Sequence, residues 1–376
     1  MGRGAGAAAL AGMVALAIAI GVGRFVYTPI LPVMVEALGM SRVSAGLLAS
    51  ANFAGYLVGA LFAAGRLRGA RRAWLMGALV ASGLTTGAMG LGTDVTAMLA
   101  LRFAGGAASA FGLVLASTIV LEVLAEAGRV RLSSLLFAGV GVGIVVSAVL
   151  VSGLRAAGFG WAALWVASGA LSLGGAGVVA VLMPAGVAAA GVRRGGGGVV
   201  SPALVRLVLA YGLFGFGYVI TATFLVAIVR GEAGLRAMEP VIWVVVGLAA
   251  TPSVALWTWV AGRTGLARAF ALAAIVEAVG VVASVAWRSE AGVFVAAVLV
   301  GGTFMGLTAL GLVRGRALAG GDARRVLALM TSAFGVGQIV GPVFAGWVAQ
   351  GRGGFGVPSA VAAAALVMAA ALVGRE

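Results

Sequence analysis

Apolar residues run along this chain in stretches of about twenty, and arginines and Pro/Gly clusters gather in the short gaps between them. Such runs match the roughly 20 residues a helix needs to cross a bilayer. The pattern predicts twelve spanning helices, at about 9–36, 43–64, 73–91, 96–122, 132–154, 160–183, 203–229, 239–260, 266–287, 291–313, 326–348 and 355–373. The longest gap holds Pro184, Arg193, Arg194, Gly195 to Gly198 and Pro202, a composition that reads as a flexible linker. It divides the spans six and six. The expected organisation is a helical bundle over about 1–183, a linker loop over about 184–202 and a second bundle over about 203–376. The first span follows a basic start at Arg3, but it is too long for a signal peptide and eleven spans follow, so it is read as retained.

Composition narrows the function. Of 376 residues, 62% are hydrophobic and 9% charged, against about 25% charged in soluble domains. Twelve crossings use about 240 residues and leave about 136 for connections, and no polar stretch exceeds about twenty residues, so a separate soluble enzymatic, nucleotide-binding or receptor domain is not expected. The chain has no Cys, His or Lys. Disulfides, thiol nucleophiles, imidazole acid–base chemistry and His or Cys metal sites are therefore absent, and neither a metal nor a cofactor is expected.

The net charge of +15 is carried by arginine alone. With the N-terminus in the cytoplasm, seventeen arginines fall on that side, six fall outside, and Arg24 and Arg102 lie within spans. The positive-inside rule then sets both termini in the cytoplasm, so the excess charge needs no nucleic acid partner. Trp74, Trp161, Trp243, Trp259, Trp287 and Trp347 sit near span ends, where indoles anchor in the headgroup region.

The second half echoes the first. Gly21-Val-Gly-Arg24 stands opposite Gly215-Phe-Gly-Tyr218 at an offset of 194, and the same offset sets Gly141 and Gly143 opposite Gly335 and Gly337. A parallel six-helix duplication produces such a pattern. The arrangement resembles the major facilitator superfamily over essentially the whole chain. Gly65-Arg66-Leu-Arg68-Gly-Ala-Arg71-Arg72 and Gly262-Arg263-Thr-Gly265 are similar to that family's Asp-Arg-x-Gly-Arg-Arg loops after the second and eighth helices. Glycine replaces the usual aspartate at Gly65 and Gly262. The resemblance implies that Arg66, Arg71, Arg72 and Arg263 belong to gating loops, whose charge-paired latch the missing aspartates put in question. Leu99-Ala-Leu-Arg102-Phe-Ala-Gly105-Gly106 looks like the family's intramembrane arginine motif. Gly21 to Pro32 and Gly337-Gln338-Ile-Val-Gly341-Pro342 resemble the YbfB/YjiJ-like branch. That resemblance implies an all-α membrane protein of twelve transmembrane helices in two pseudo-symmetric six-helix bundles, with spans one, two, four, five, seven, eight, ten and eleven around a cavity.

Arg24 stands about 15 residues into the first span, about 22 Å from its start, too deep to snorkel. A central arginine costs at least about 2.5–3.5 kcal/mol on insertion scales and needs a wet cavity or a partner. Treated as one helix, the span puts Tyr27 and Thr28 on the face of Arg24. One role is bidentate capture of an organic anion, most naturally a carboxylate; the other is a structural arginine bonded to backbone carbonyls. Arg102 is a second cation at similar depth, structural in the resembled motif and a candidate substrate contact. Asn52 and Tyr56 share a face of span two, Tyr218 and Thr221 one of span seven, and Gln338 adds an amide in span eleven. Among acids, Glu277 alone is mid-span, whereas Glu36 and Glu122 lie near span ends. Proton coupling needs a group that changes charge, so Glu277 is the candidate carrier, although the resemblance places its helix off the cavity.

The reading is a monomeric, multi-pass secondary transporter of the cytoplasmic membrane, moving a small organic anion by alternating access. Either proton symport or anion exchange drives it. Efflux of hydrophobic cations, suggested by Phe304, Met305 and Trp257, is the competing transporter class. A membrane-embedded enzyme would want clustered acids, bases or metal ligands at one interface, and a channel would want a ring of like charges or a filter loop. Neither pattern is present in the sequence.

Overall fold

A computed structural model describes residues 2–63, 65, 67–184, 201–319 and 323–374, and every statement below concerns these. The linker expected at 184–202 and the gating-loop arginine at position 66 fall almost wholly or wholly outside them. The described chain is helical: α1 (Gly2–Leu16), α2 (Tyr27–Leu38), α3 (Arg42–Ala63), α4 (Arg71–Ala88), α5 (Val95–Glu126), α6 (Ser133–Ala156), α7 (Trp161–Leu182), α8 (Pro202–Gly231), α9 (Glu239–Thr264), α10 (Leu266–Ala286), α11 (Glu290–Ala317), α12 (Ala323–Gly351) and α13 (Gly356–Gly374). A π-helical segment, Ala17–Val22, follows α1. Side-chain oxygens cap the long helices where the sequence supplies them: Asp94 accepts from Ala97 N, Ser201 from Leu204 N and Ser289 from Gly292 N.

Among the described residues, eleven helical stretches are long and apolar enough to cross a membrane, not the twelve expected. The shortfall is α4. It lies where the third span was expected, but it opens on Arg71 and Arg72 and carries Ser82, Thr85 and Thr86, which dilute its apolar content. Large apolar side chains such as Phe62, Leu91, Val181 and Trp347 are exposed, an arrangement that water penalises and lipid does not.

Two compact units divide the chain, one within residues 1–189 and the other within 190–376. In the first, α5 packs on α3 and α4, α4 on α7, and α6 on α1 and the π segment. In the second, α11 packs on α9 and α10, α10 on α13, and α12 on α8. Helix for helix the two schemes are the same. The glycines that suggested duplication make equivalent crossings: a Cβ on Gly21 would come within 2.5 Å of Gly143 Cα, and one on Gly337 within 2.6 Å of Phe216 N, beside Gly215. Only glycine lets backbones approach so closely.

The first span, read as one crossing, is broken near its middle. Gly23 N bonds Ile18 O at 2.9 Å and Phe25 N bonds Ile20 O at 3.2 Å, both i to i−5 closures that widen the helix. Pro29 has no N–H to offer Phe25 O and its ring crowds that carbonyl; Thr28 N takes the position instead, at 3.2 Å. The helix therefore stops at the π segment and restarts at Tyr27, with Arg24 in the turn between.

Candidate functional site

The break changes which side chains meet Arg24. The π segment ends before Arg24, and the turn at 23–26 that follows it, rather than a continued helical repeat, separates Arg24 from Tyr27. The Arg24 guanidinium lies instead over the rings of Phe53 at 4.4 Å, Tyr56 at 4.6 Å and Phe25 at 5.5 Å. Arg24 is buried, as is Thr28. Tyr27 and Thr28 were expected on the face of Arg24; the ring of Tyr56 packs on it instead, and that of Tyr27 packs on Arg102.

Tyr27 belongs to Arg102. The Arg102 guanidinium stands 4.7 Å from the Tyr27 ring and 5.9 Å from Trp165. Its Nε donates to Leu48 O at 3.3 Å, and Asn52 Nδ2 donates to the Arg102 carbonyl at 2.9 Å. Tyr27 is pinned in turn, its hydroxyl donating to Ala45 O at 2.7 Å, and Trp165 Nε1 points at Met34 Sδ at 3.0 Å. Small residues make this approach of α5 to α3 feasible. A Cβ on Gly106 would overlap Asn52 O, and one on Gly55 would overlap Phe103 O. Helix α3 thus serves both cations, turning Phe53 and Tyr56 to Arg24 and Leu48 and Asn52 to Arg102. Both guanidiniums therefore pack against α3, and among the described residues Arg102 forms no ion pair.

Phe53, Phe25 and Trp165 were not among the expected site residues. Phe53 and Tyr56 stand at i and i+3 on α3, the aromatic spacing that could have flagged one ring face. Trp165 lies a full turn inside α7, unlike a headgroup anchor.

In the second unit Gln338 Nε2 donates to Tyr218 Oη, uniting two of the three expected residues there. Tyr218 lies parallel between Phe304 at 5.8 Å and Phe334 at 5.7 Å, with interplanar angles of 2° and 4°. Thr221 is one turn further along α8; its Oγ1 and the Gln338 Oε1 are buried without a hydrogen-bond partner in the protein. These are the atoms an incoming polar group would satisfy.

The loop arginines take varied positions. Arg71 forms a two-pronged ion pair with Glu122 at the end of α5, both bonds 2.9 Å, so a carboxylate on another helix meets the loop despite Gly65. Arg72 donates to Ala180 O of α7 at 2.5 Å. Arg263 stacks on Trp259 at 3.6 Å. Of the tryptophans read as headgroup anchors, Trp74, Trp259, Trp287 and Trp347 are exposed, but Trp243 is fully buried in the protein. It is a core residue, placed on the inner face of α9.

A sequence model of the family described as "Uncharacterised MFS-type transporter YbfB" matches residues 16–374. No curated protein matches the chain. Among solved structures, the nucleoside transporter NupG (D323A mutant) is similar at 14% identity and a TM-score of 0.74, covering 98% of each chain. A bacterial homologue of the human lysosomal transporter Spinster, inward-facing and occupied, is similar at 16% identity and a TM-score of 0.70, covering 98% of this chain and 95% of that one. Its inward-facing unoccupied form gives 0.65 at 16% identity, covering 100% and 95%. At these identities the likeness is one of fold.

Proposed function

Because the chain belongs to the MFS-type transporter family described by the name YbfB, we propose that it is a secondary transporter for a small organic anion, most naturally a carboxylate. The observation that carries this is the pair of buried arginines in the first unit, Arg24 and Arg102, held by ring faces. Ring stacking engages the flat faces of a guanidinium, whereas its N–H groups lie in the plane, where a carboxylate binds in two parallel hydrogen bonds. Two cations in one neighbourhood raise the local concentration of anions.

Arg24, in the helix break, is the proposed anchor, with Tyr56 packed on it and Thr28 as a further proposed contact. Arg102, Tyr27 and Asn52 form the supporting layer. Tyr218, Thr221 and Gln338 of the second unit are proposed as further substrate contacts, and Arg71, Arg72 and Arg263 as gating-loop residues. The proposed architecture is twelve crossings in two six-helix bundles, α4 being the third crossing, with a cytoplasmic linker, both termini in the cytoplasm and a monomer in the cytoplasmic membrane. Cysteines introduced at positions 193 and 352 should then label from opposite sides of intact cells; labelling from one side overturns the topology.

Efflux of hydrophobic cations is the competing reading. The aromatic faces that would bind a cation in the first unit are already taken by Arg24 and Arg102, which favours the anion. The test is a thermal-shift screen of purified protein against lactate, succinate, gluconate, benzoate and ethidium. A ligand that binds only the folded state raises the melting temperature with its concentration. At least one acid should stabilise the protein; stabilisation by ethidium alone would replace the anion reading with the efflux one.

A further inference from the structure

The buried face of α10 is built from Phe270, Ala273, Ala274, Glu277, Val281 and Ser284, so a carboxyl occupies the middle of an otherwise apolar stripe. Glu277 is fully buried, about 16 Å from the start of its helix, and among the described residues neither of its carboxyl oxygens has a hydrogen-bond partner.

The helices packed on α10 bring no counter-charge to its level. They are α8, α9, α11 and α13. Helix α13 has no ionisable residue. The charges of α9 (Glu239, Arg263) and α11 (Glu290, Arg314, Arg316) lie in their first and last turns. Arg206 and Arg230 stand near the two ends of α8, and Arg268 in the first turn of α10 itself. The tyrosines of α8 are turned to other partners, Tyr211 donating to Thr308 O and Tyr218 bonded to Gln338.

Hydroxyls do share the level: that of Thr303 on α11 is bonded back to Leu299 O and Val300 O of its own helix, whereas that of Thr221 on α8 is not. Helices α8 and α10 both run antiparallel to α11: Tyr211 reaches Thr308 where Tyr218 stacks on Phe304, and Gly280 lies against Val300 where Trp287 lies against Gly292. They are therefore parallel to each other. Phe214 meets Phe270 edge to face, centroids 6.4 Å apart. Two turns further along both helices, on the same faces, stand Thr221 and Glu277, and the Thr221 hydroxyl is likewise buried without a partner.

An ionised carboxylate in such a place loses its hydration and gains no bond in return. A resident metal cation would need several oxygen ligands, and among the described residues no group of three acidic or metal-ligating side chains exists. A proton needs only the one carboxyl.

We propose that Glu277 is a proton-binding site, occupied in this conformation and emptied only when the helices around it admit water. In each cycle one O–H bond forms at the carboxyl with a proton taken from one side, and the same bond breaks to release that proton to the other. One proton carried with one monoanion moves no net charge. The use of the proton for coupling rests on the transporter reading above; the existence of the site does not.

Infrared spectroscopy tests the site without any substrate. At neutral pH the parent should show the carbonyl stretch of a protonated carboxyl group, lost in Glu277→Gln and shifted but retained in Glu277→Asp, with melting curves checking that each variant folds. In D2O the band should move to its deuterated position slowly, at the pace of helix opening. Absence of the band in the parent, its survival in Glu277→Gln or an immediate deuterium shift would overturn the proposal. For coupling, Glu277→Gln should abolish accumulation of the panel acids driven by a pH gradient while leaving their exchange intact, and undiminished accumulation would remove Glu277 from the drive. If no acid moves with the parent while the infrared result holds, the anion reading fails and the proton site stands.

Discussion

Arg24 owes its placement to Pro29, the third residue of the second half-helix, and to the glycines Gly21 and Gly23 at the end of the π turn. Aromatic faces return about 0.5–2 kcal/mol each to a desolvated cation, so Phe53 and Tyr56 offset much of the roughly 2.5–3.5 kcal/mol that a central arginine costs. Lysine keeps the charge but not the fork, and losing one charge-assisted bond costs about 1.5–3 kcal/mol. At 1.4 kcal/mol per tenfold, Arg24→Lys should weaken binding of the acid found in the screen by roughly 10- to 100-fold, measured by titration calorimetry on folded protein, and Arg24→Ala by more. Tyr218→Phe, which removes one neutral bond, should cost about tenfold at most. Unchanged affinity in Arg24→Lys would make the residue structural. That Arg24 is buried within the helices was legible from its depth in the first span alone. Its neighbours were not, because assigning Tyr27 to it presumed an unbroken 3.6-residue repeat, and Phe53 is brought to it by packing between helices that no local pattern encodes.

At the level of elements, apolar run length located nearly every helix, since the bilayer imposes a minimum span that composition must meet. Helix α4 shows where that signal thins: its polar residues, Ser82 and Thr86, are buried within the bundle, so protein rather than lipid surrounds them. The echo of glycines at an offset of 194 was also legible, and it proves to mark the crossings of the π segment with α6 and of α8 with α12. A side chain at either crossing must displace backbone, which typically costs about 1–3 kcal/mol. Gly143→Ala and Gly337→Ala should each lower the melting temperature in detergent, whereas Gly153→Ala and Gly302→Ala, where a Cβ would meet nothing within 4 Å, should not. Equal effects at all four positions would contradict the account of the crossings.

For the whole molecule, the family model makes this an MFS-type membrane transporter, and the buried arginines are the basis on which an anionic substrate is proposed. A chain without Cys, His or Lys leaves few groups for transport chemistry. In the proposed mechanism arginine holds charge, tyrosine, threonine and amides orient, and one mid-span carboxyl moves a proton. Those few groups were visible in the sequence but their grouping was not, since the Arg102 layer forms only when α3 and α5 close on Gly55 and Gly106. The central claim, an organic-anion carrier anchored at Arg24, is tested most directly by counterflow in proteoliposomes preloaded with each panel compound. Labelled acid should exchange into vesicles holding the parent and at least tenfold more slowly with Arg24→Lys at limiting substrate, by the same conversion of bond energy to affinity, while ethidium stays outside. Entry of ethidium with no movement of any acid, or equal acid exchange by parent and Arg24→Lys, would contradict it.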